Sequence, residues 1–396
     1  MINDSATQFL ILNSGSSSLK FALYRVDTDQ IRMSGKLTRI GQPGAHFAVS
    51  TDSGPRTEPL DLPDHAAAGN WLFDWLAKQP GHRLDAVGHR FVHGGTRYRS
   101  PRSVTPELLA GLRPLIPFAP DHLPAEICLV ETISRRYPDV PQVVCFDTAF
   151  HQTLPDYARQ LPLPRRFREA GLVRYGFHGL SCEYTLSQLD PATASGRVIV
   201  AHLGNGASMT AVLNGQSVDT TMGFTPTGGL MMGARTGDLD PGVLLYLLTD
   251  RRLDAPALSH LLNNESGLLG VSALSADMQA LVEAAPANPR AAEAVRLFGY
   301  VAKKHLGALV AVLNGLDTLV FTGGIGENAP AIRADLCAQL DYLGITIDSV
   351  RNARNEPIIS PDHSRVTVRV IPTNEELMIA RHTRDLLSTI DQLITA

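Results

Sequence analysis

Cysteine is scarce in this 396-residue chain. Cys128, Cys145, Cys182 and Cys337 are scattered and form no C-x-x-C, which excludes a disulfide framework and reads as reduced core thiols. Long apolar runs are also missing. No uncharged stretch approaches the roughly 20 residues of a membrane-spanning helix, and residues 1–8 carry Asp and Ser rather than a basic flank, so the expected location is cytoplasmic. Neither sign of charge dominates. With 35 Lys and Arg against 39 Asp and Glu, the formal net charge of −4 provides no broad positive field, so neither nucleic acid nor membrane is an expected partner. H-E-x-x-H is absent, which argues against zinc, and G-x-S-x-G is absent, which argues against a serine hydrolase.

What remains is an ordinary globular composition, 44% hydrophobic and 19% charged, in a chain long enough for two domains. Phe9 to Leu12 reads as a short strand that stops at Asn13-Ser-Gly-Ser-Ser-Ser18, and Leu19 to Val26 resumes as a second strand leading to a third near Ile31. About 191 residues later the unit returns: Val198 to Leu203, Gly204-Asn205-Gly206-Ala-Ser208, Met209 to Leu213, then Asn214-Gly215, a strong hairpin signal. Superimposing Leu12 on Leu203 brings Gly15 onto Gly206 and Ser17 onto Ser208, which suggests two related halves. The rest alternates in the α/β manner. Helix 124–136 precedes strand 142–146; helix 290–313, with Val295, Phe298, Val301, Leu306 and Leu309 on one face, precedes strand 318–321; helix 331–343, strand 366–371 and a helix from about 374 to 390 follow. The expected boundaries are a first domain of residues 1–150 rejoined by a returning helix at 377–396, and a second, nucleotide-binding domain of residues 151–376.

The small-residue turn 13–18 followed by Lys20 is not a Walker A loop, but it has similar physics: backbone N–H groups, hydroxyls and one cation suited to phosphate. Two such turns in a duplicated chain point to a polyphosphate. Gly324-x-Gly326-x-x-Ala329, between a strand and a helix, would alone support a dinucleotide site with Asp348 at the ribose. Six glycines between Met222 and Gly242 surround Arg235, a residue suited to bidentate phosphate or carboxylate contact; Asp238 and Asp240 are expected to orient that loop or cap the next helix. His89, Arg90 and His93, Asp147 and His151, and His178 lie in short apolar or glycine-flanked stretches. At the start of the final helix, Thr373 and Glu376 have capping-box spacing, which leaves Glu375 as a candidate magnesium ligand.

Together these segments resemble the acetate/propionate kinase family, through N-S-G-S-S-S-L-K, G-H-R-F-V-H-G-G, F-D-T-A-F-H, Y-G-F-H-G, H-L-G-N-G, M-M-G-A-R-T-G-D-L-D-P-G, G-G-I-G-E-N and I-P-T-N-E-E-L. The resemblance implies an α/β fold of the duplicated ribonuclease H-like kind shared by actin, Hsp70 and sugar kinases, with two domains, an interdomain active-site cleft and a homodimer. It implies Mg2+, or Mn2+ in its place, at Asn13 and Glu375, and ATP as cosubstrate, its phosphate met by Lys20. ATP would be bound by His202, Leu203, Gly204, Asn205, Gly206, Asp277, Met278, Gln279, Gly324, Ile325, Gly326, Glu327 and Asn328. Gln279 departs from the family's usual Arg. Arg90, Asp147, His178 and Arg235 fall on catalytic positions. Arg90, Val92, Asp121, His122, Phe177 and Pro226 fall on the substrate side, where Asp121 replaces an apolar residue. If Asp121 points inward it disfavours a methyl group and favours a hydroxy acid; if it points outward it changes little.

The implied reaction is reversible, direct in-line phosphorylation of a short-chain carboxylate, acetate first and propionate or a small hydroxy acid as alternatives. A dinucleotide-dependent oxidoreductase and a noncatalytic ATP-binding protein are the rival readings. The sequence leaves the preferred acid, the physiological direction, regulation and dimer strength undecided.

Overall fold

A computed structural model describes residues 7–15, 17–51, 54–81 and 83–395, so Ser16 of the first turn lies outside the described residues. The chain forms two compact units, Met1–Ala149 with Asn374–Ala396, and Phe150–Thr373. It re-enters the first unit at Asn374 rather than 377, so Glu375 and Glu376 belong to that unit.

The first unit is built on a mixed sheet. Strands β1 (Gln8–Ser14), β2 (Ser18–Arg25), β3 (Gln30–Thr38), β4 (His46–Thr51) and β5 (Gly54–Pro59) form an antiparallel meander. β6 (Ala86–Phe91) and β8 (Gln142–Phe146) add parallel strands beside β1, and the short β7 (Arg102–Ser103) closes the edge, giving the order β5-β4-β3-β2-β1-β6-β8-β7. Side chains alternate across a strand, so Leu10, Leu12, Phe21 and Phe47 enter one core with Leu72, Phe73, Leu129 and Ile133 from helices His65–Ala77 and Leu123–Arg136. The opposite face of β1, β6 and β8 is covered by helix Glu375–Thr395.

The second unit holds β9 (Arg197–Leu203), β10 (Ala207–Leu213), β11 (Gln216–Thr220), β12 (Thr318–Thr322) and β13 (Thr367–Val370), in the order β11-β10-β9-β12-β13. Its meander and parallel pairs repeat β3-β2-β1-β6-β8 of the first unit, the duplication that the two strand-turn-strand segments suggest. The expected residue-for-residue offset does not carry through the turns. Ser14 pairs with Leu19 and Leu203 with Ala207, so the first turn is one residue longer than the second. Asn214 and Gly215 both take positive φ (52° and 73°), as a tight hairpin requires.

Two helices differ from expectation. The buried stripe of Pro289–Val312 runs through Ala291, Ala294, Phe298, Ala302, Leu306 and Leu309, while Val295 and Val301 are half-buried, because small alanines permit the closest approach to its neighbours. The expected helix 331–343 ends at Cys337 and resumes as a 3-10 turn over Asp341–Leu343; Gln339, at φ 60°, leaves the right-handed helical region between them.

Gly88 shows how tightly helix Glu375–Thr395 lies on the first sheet. A Cβ there would sit 2.5 Å from Thr383 Oγ1 and 2.7 Å from Ile379. Gly88→Val is expected to lower the unfolding free energy by about 1–3 kcal/mol, read from urea denaturation; an unchanged midpoint would contradict this packing.

Candidate active site

In the first unit, parallel pairing of β1, β6 and β8 aligns their carboxyl ends, and each contributes one polar group. Asn13 comes from β1, Arg90 from β6 and Asp147 from the turn after β8. Arg90 donates to Asp147 Oδ2 at 2.5 Å and to Asn13 Oδ1 at 3.4 Å, and its Nε lies 3.9 Å from Glu375 Oε2. Asp147 is wholly buried. Burial pulls the Arg90 pKa down, but Asp147 and Glu375 outweigh it and hold the guanidinium above its ordinary value. Asn13 Nδ2 donates to Glu375 Oε2 at 3.2 Å and to Glu376 Oε1 at 3.4 Å. One carboxamide and two carboxylates therefore meet at one point. Oxygen donors few enough to leave room for water suit magnesium, so these residues fit the ion that the resemblance implies.

Lys20 is the cross-strand neighbour of Asn13 on β2 and is exposed. Val92 is buried just beyond β6, and His122 is half-buried at the start of helix Leu123–Arg136. Asp121 is exposed. Glu376 is not the helix cap. Asn374 Oδ1 accepts from Leu377 N at 2.9 Å and takes that job, while the Thr373 amide is drawn to Glu327 Oε1 at 2.9 Å, so Glu376 is released toward Asn13.

In the second unit, His178 has left-handed backbone (φ 59°) at the start of helix Gly179–Ser187, a conformation uncommon for a non-glycine residue. Its ring stacks on His202 with centroids 4.2 Å apart. Each Nδ1 is engaged by a hydroxyl, His178 by Ser208 at 2.9 Å and His202 by Ser181 at 2.8 Å. The other edges of both rings lie over the β9–β10 turn. A Cβ on Gly206 would be 3.4 Å from His178 Nε2 and 3.6 Å from an Arg235 amino group, and one on Gly204 would be 3.5 Å from His202 Nε2. Glycine there lets backbone and functional groups approach closely. Arg235 also donates to the Pro226 carbonyl at 3.2 Å. The Arg235 loop is held as expected: Asp238 accepts from Gly229 N at 2.7 Å, and Asp240 caps helix Pro241–Thr249 through Gly242 N at 2.6 Å. Phe177 is buried.

A cavity of about 740 Å³ opens beside this cluster, lined by Gly204, Asn205, Asp277, Met278, Gln279, Gly324, Ile325 and Asn328, together with Ala276, Val282, Glu283 and residues 329–331. Three separate stretches expected at ATP thus share one wall, and its volume suits a nucleoside. Gln279 donates to Glu283 at 2.9 Å, and Asp277 caps helix Met278–Ala284. Glu327 turns away from the cavity. Its Oε1 accepts from Gly323 N at 2.8 Å as well as from Thr373 N, so it seats the glycine turn instead of reaching outward. Asp348 caps helix Ser349–Ala353 and is not aimed at a ribose, which removes the support for a dinucleotide site.

Several residues had no sequence signal. Arg333 is fully buried and donates to the carbonyls of Gly326 and Glu327 at 2.8 and 2.9 Å and to Asn352 and Asn355. It clamps the end of the turn Gly323–Asn328 from behind. Ser181 and Ser208 orient the two rings, a role that isolated serines do not announce. His89 and His151 are structural. Burial lowers each to about 4, against the hydrogen bonds they donate to Gln142 Oε1 and to the Phe177 carbonyl, so both are neutral at pH 7. Among the described residues no cluster of three or more His, Cys, Asp or Glu is placed to hold a metal, and no helix is long and apolar enough to cross a membrane.

The profile of the Acetokinase family matches residues 8–381. Acetate kinase from Rhodopseudomonas palustris is 48% identical over 387 residues, covering 94% of this chain and 96% of its own. Propionate kinase from Citrobacter rodentium is 43% identical, covering 94% and 95%. The crystal structure of Porphyromonas gingivalis acetate kinase superimposes with a TM-score of 0.87 at 39% identity, over 96% of this chain and all (100%) of that one.

Glu327→Ala is expected to weaken nucleotide binding about 10-fold and to lower the thermal midpoint, since two amides lose a charge-assisted acceptor. Calorimetric titration with ADP checks it, and unchanged affinity would contradict the seating role.

Proposed function

The chain belongs to the acetokinase family, and from that premise we propose how its own residues divide the work of the reaction. The enzyme is a kinase that transfers phosphate from ATP to a carboxylate, mainly acetate, and its fold is the duplicated α/β fold of the acetate and propionate kinases. The finer assignments rest on the site just described.

The acceptor is ionised at neutral pH because its reference pKa is near 4, so no base has to remove a proton. Repulsion is the obstacle: one like-charge pair at 4 Å costs about 4 kcal/mol at an effective dielectric of 20. Positive charge on both sides of the reaction answers it. Arg90, fixed by Asp147 at 2.5 Å, receives the substrate carboxylate beside Val92 and His122. Arg235 and His178, which meet at the Gly206 turn, stabilise the charge on the transferring phosphoryl group, and Phe177 and Pro226 give the acyl group an apolar surface. A carboxylate oxygen bonds to the terminal phosphorus as the bond to the ADP oxygen breaks, in line and without a phosphorylated enzyme. The backbone of Gly204–Gly206 and Gly324–Asn328, with Asp277–Gln279, holds ATP, and Lys20 meets its phosphates. Asn13 and Glu375 would hold Mg2+, with Mn2+ in its place as a variant. When bound, that ion supplies positive charge at the phosphates. The engaged Arg90–Asp147 pair is the observation that carries this reading, because a protein that only bound ATP would have no use for a fixed arginine on a carboxylate side.

A homodimer is supported by helix Pro241–Thr249, whose sequence PGVLLYLLT buries no residue and leaves Leu245 63% and Tyr246 48% exposed. An apolar helix left this open matches a subunit interface. Free cysteines in the core agree with a reducing, cytoplasmic setting.

Acyl phosphate trapped with hydroxylamine is expected with acetate and propionate, and with ATP and magnesium both required; hydroxy acids gain no preference, because Asp121 is exposed. Arg235→Ala should lower kcat by about 10²–10³-fold. No product from any acid despite nucleotide binding would overturn the reading, and retention of configuration at a chiral phosphate would overturn direct transfer. The double variant Leu245→Asp, Tyr246→Asp is expected to sediment as a monomer; a dimer of unchanged strength would place the interface elsewhere.

A further inference from the structure

Helix Leu123–Arg136 turns an apolar face to the first sheet, and one acid sits within that face. Leu123, Ile127, Val130 and Ile133 are buried at helical spacing, and Glu126, at 1% exposure, occupies the position between the first two. An acid is almost never buried without a partner. The partner of Glu126 is a backbone amide: both carboxyl oxygens lie near Val92 N, at 3.2 and 3.3 Å. Val92 follows the last residue of β6, two positions after Arg90, so Glu126 grips the strand end that presents the arginine.

Charge balance decides the state of this acid. Arg90 pairs with Asp147 at 2.5 Å and lies near Glu375 at 3.9 Å, whereas the hydrogen-bond partner of Glu126 is the Val92 amide. We propose that Glu126 is a positioning residue for the carboxylate side of the site: uncharged, it seats the Val92 amide and leaves the charge of Arg90 to the substrate, and when it ionises it withdraws that charge.

Burial is the main force keeping Glu126 protonated. It raises the pKa to about 8, with Arg90 and the Val92 amide pulling the other way and Asp147 adding to the rise. The charged groups acting on it are thus Arg90 from β6 and Asp147 from the turn after β8. Other titratable groups nearby are His122 one turn earlier, Cys128 on the same helix, His93 next to Val92, and His89 on β6, which burial keeps neutral. Asp74 and Arg113 pair with Arg136 and Glu131 farther along the helix, and His65 is engaged by the Gly15 carbonyl. For an acid raised in the folded state the sign is fixed. Its contribution to stability is complete below the unfolded pKa of about 4.5 and is lost as pH climbs through about 8.

This inference rests on the reading of Arg90 as the carboxylate receiver, and the test separates the two. Steady-state kinetics of the full-length enzyme from pH 7 to 9 would be measured with acetate and ATP varied in turn. The wild type is expected to show a severalfold rise in the acetate KM with a midpoint near pH 8 and no matching rise in the ATP KM. In Glu126→Gln, which keeps an acceptor for Val92 and cannot ionise, the acetate KM should stay within twofold across the range. Glu126→Ala should raise it at least fivefold at pH 7 by leaving the amide bare. The thermal midpoint of Glu126→Gln should also fall less than that of the wild type between pH 6 and 9, a readout that needs no activity. A Glu126→Gln profile that rises as the wild type does, or equal midpoint losses in the two proteins, would overturn the proposal while leaving the kinase reading intact. A wild type that makes no acyl phosphate would overturn the kinase reading itself.

Discussion

A guanidinium that has been taken out of water must be surrounded by negative charge and acceptors, or it costs more than any packing around it returns. Arg90 imposes that requirement on the first unit. Its partners cannot come from its own strand, because neighbours on a strand point to opposite faces. They come from the parallel strands on either side, Asn13 from β1 and Asp147 after β8, and from the helix laid across all three, Glu375. The strand order, the parallel sense and the return of the chain from the second unit are all needed to complete one ring of contacts.

The second unit is organised by other means. Its cavity has Gly204 and Gly324 on the wall, while Gly206 and Gly323 lie where a Cβ would crowd His178 and the Leu203 backbone. Backbone is a weak anchor unless its own carbonyls and amides are held, and two buried side chains do this. Glu327 accepts amides at the front of the glycine turn, while Arg333 takes the carbonyls at its back. Side chains fix a charged group in the first unit and fix backbone in the second.

Much of this was visible in the sequence, and the parts that were not share a cause. Strand-turn-strand segments stand out because their pattern is local, so β1–β2 and β9–β10 were legible, as were the asparagine-glycine hairpin, the loop contact of Asp238 and the cap at Asp240. The resemblance put Arg90, Asp147, His178 and Arg235 forward together with Asn13, Glu375 and His202, which the structure places beside Arg90 and His178, though not the serines behind the two rings. Glu126, Ser181 and Ser208 meet partners 21 to 34 residues away and Glu376 one 363 away, while Arg333 reaches Asn352 and Asn355 as well as the nearby Gly326 and Glu327, and no local pattern marks these pairings. Glu126 left one trace, an acid on an apolar helix face. Thr373 shows the reverse error: its capping-box spacing to Glu376 was real, but a carboxylate from residue 327 claimed its amide, and Asn374 became the cap.

The contact between Asn13 and Glu375 joins residues 362 positions apart, and that separation sets an order of events during synthesis. Strands β1 to β3 can pair as soon as they emerge, and the contiguous unit Phe150–Thr373 holds every residue of its own turns. Ordering of the first unit, by contrast, waits for the helix Glu375–Thr395, and closing so long a loop is slow. A chain made as far as Thr373 therefore contains every residue that lines the cavity of the second unit but lacks Glu375 of the ring around Arg90. The last stretch to be made is thus the one that completes the charged ring, and its loss would leave Arg90 and Asn13 without Glu375.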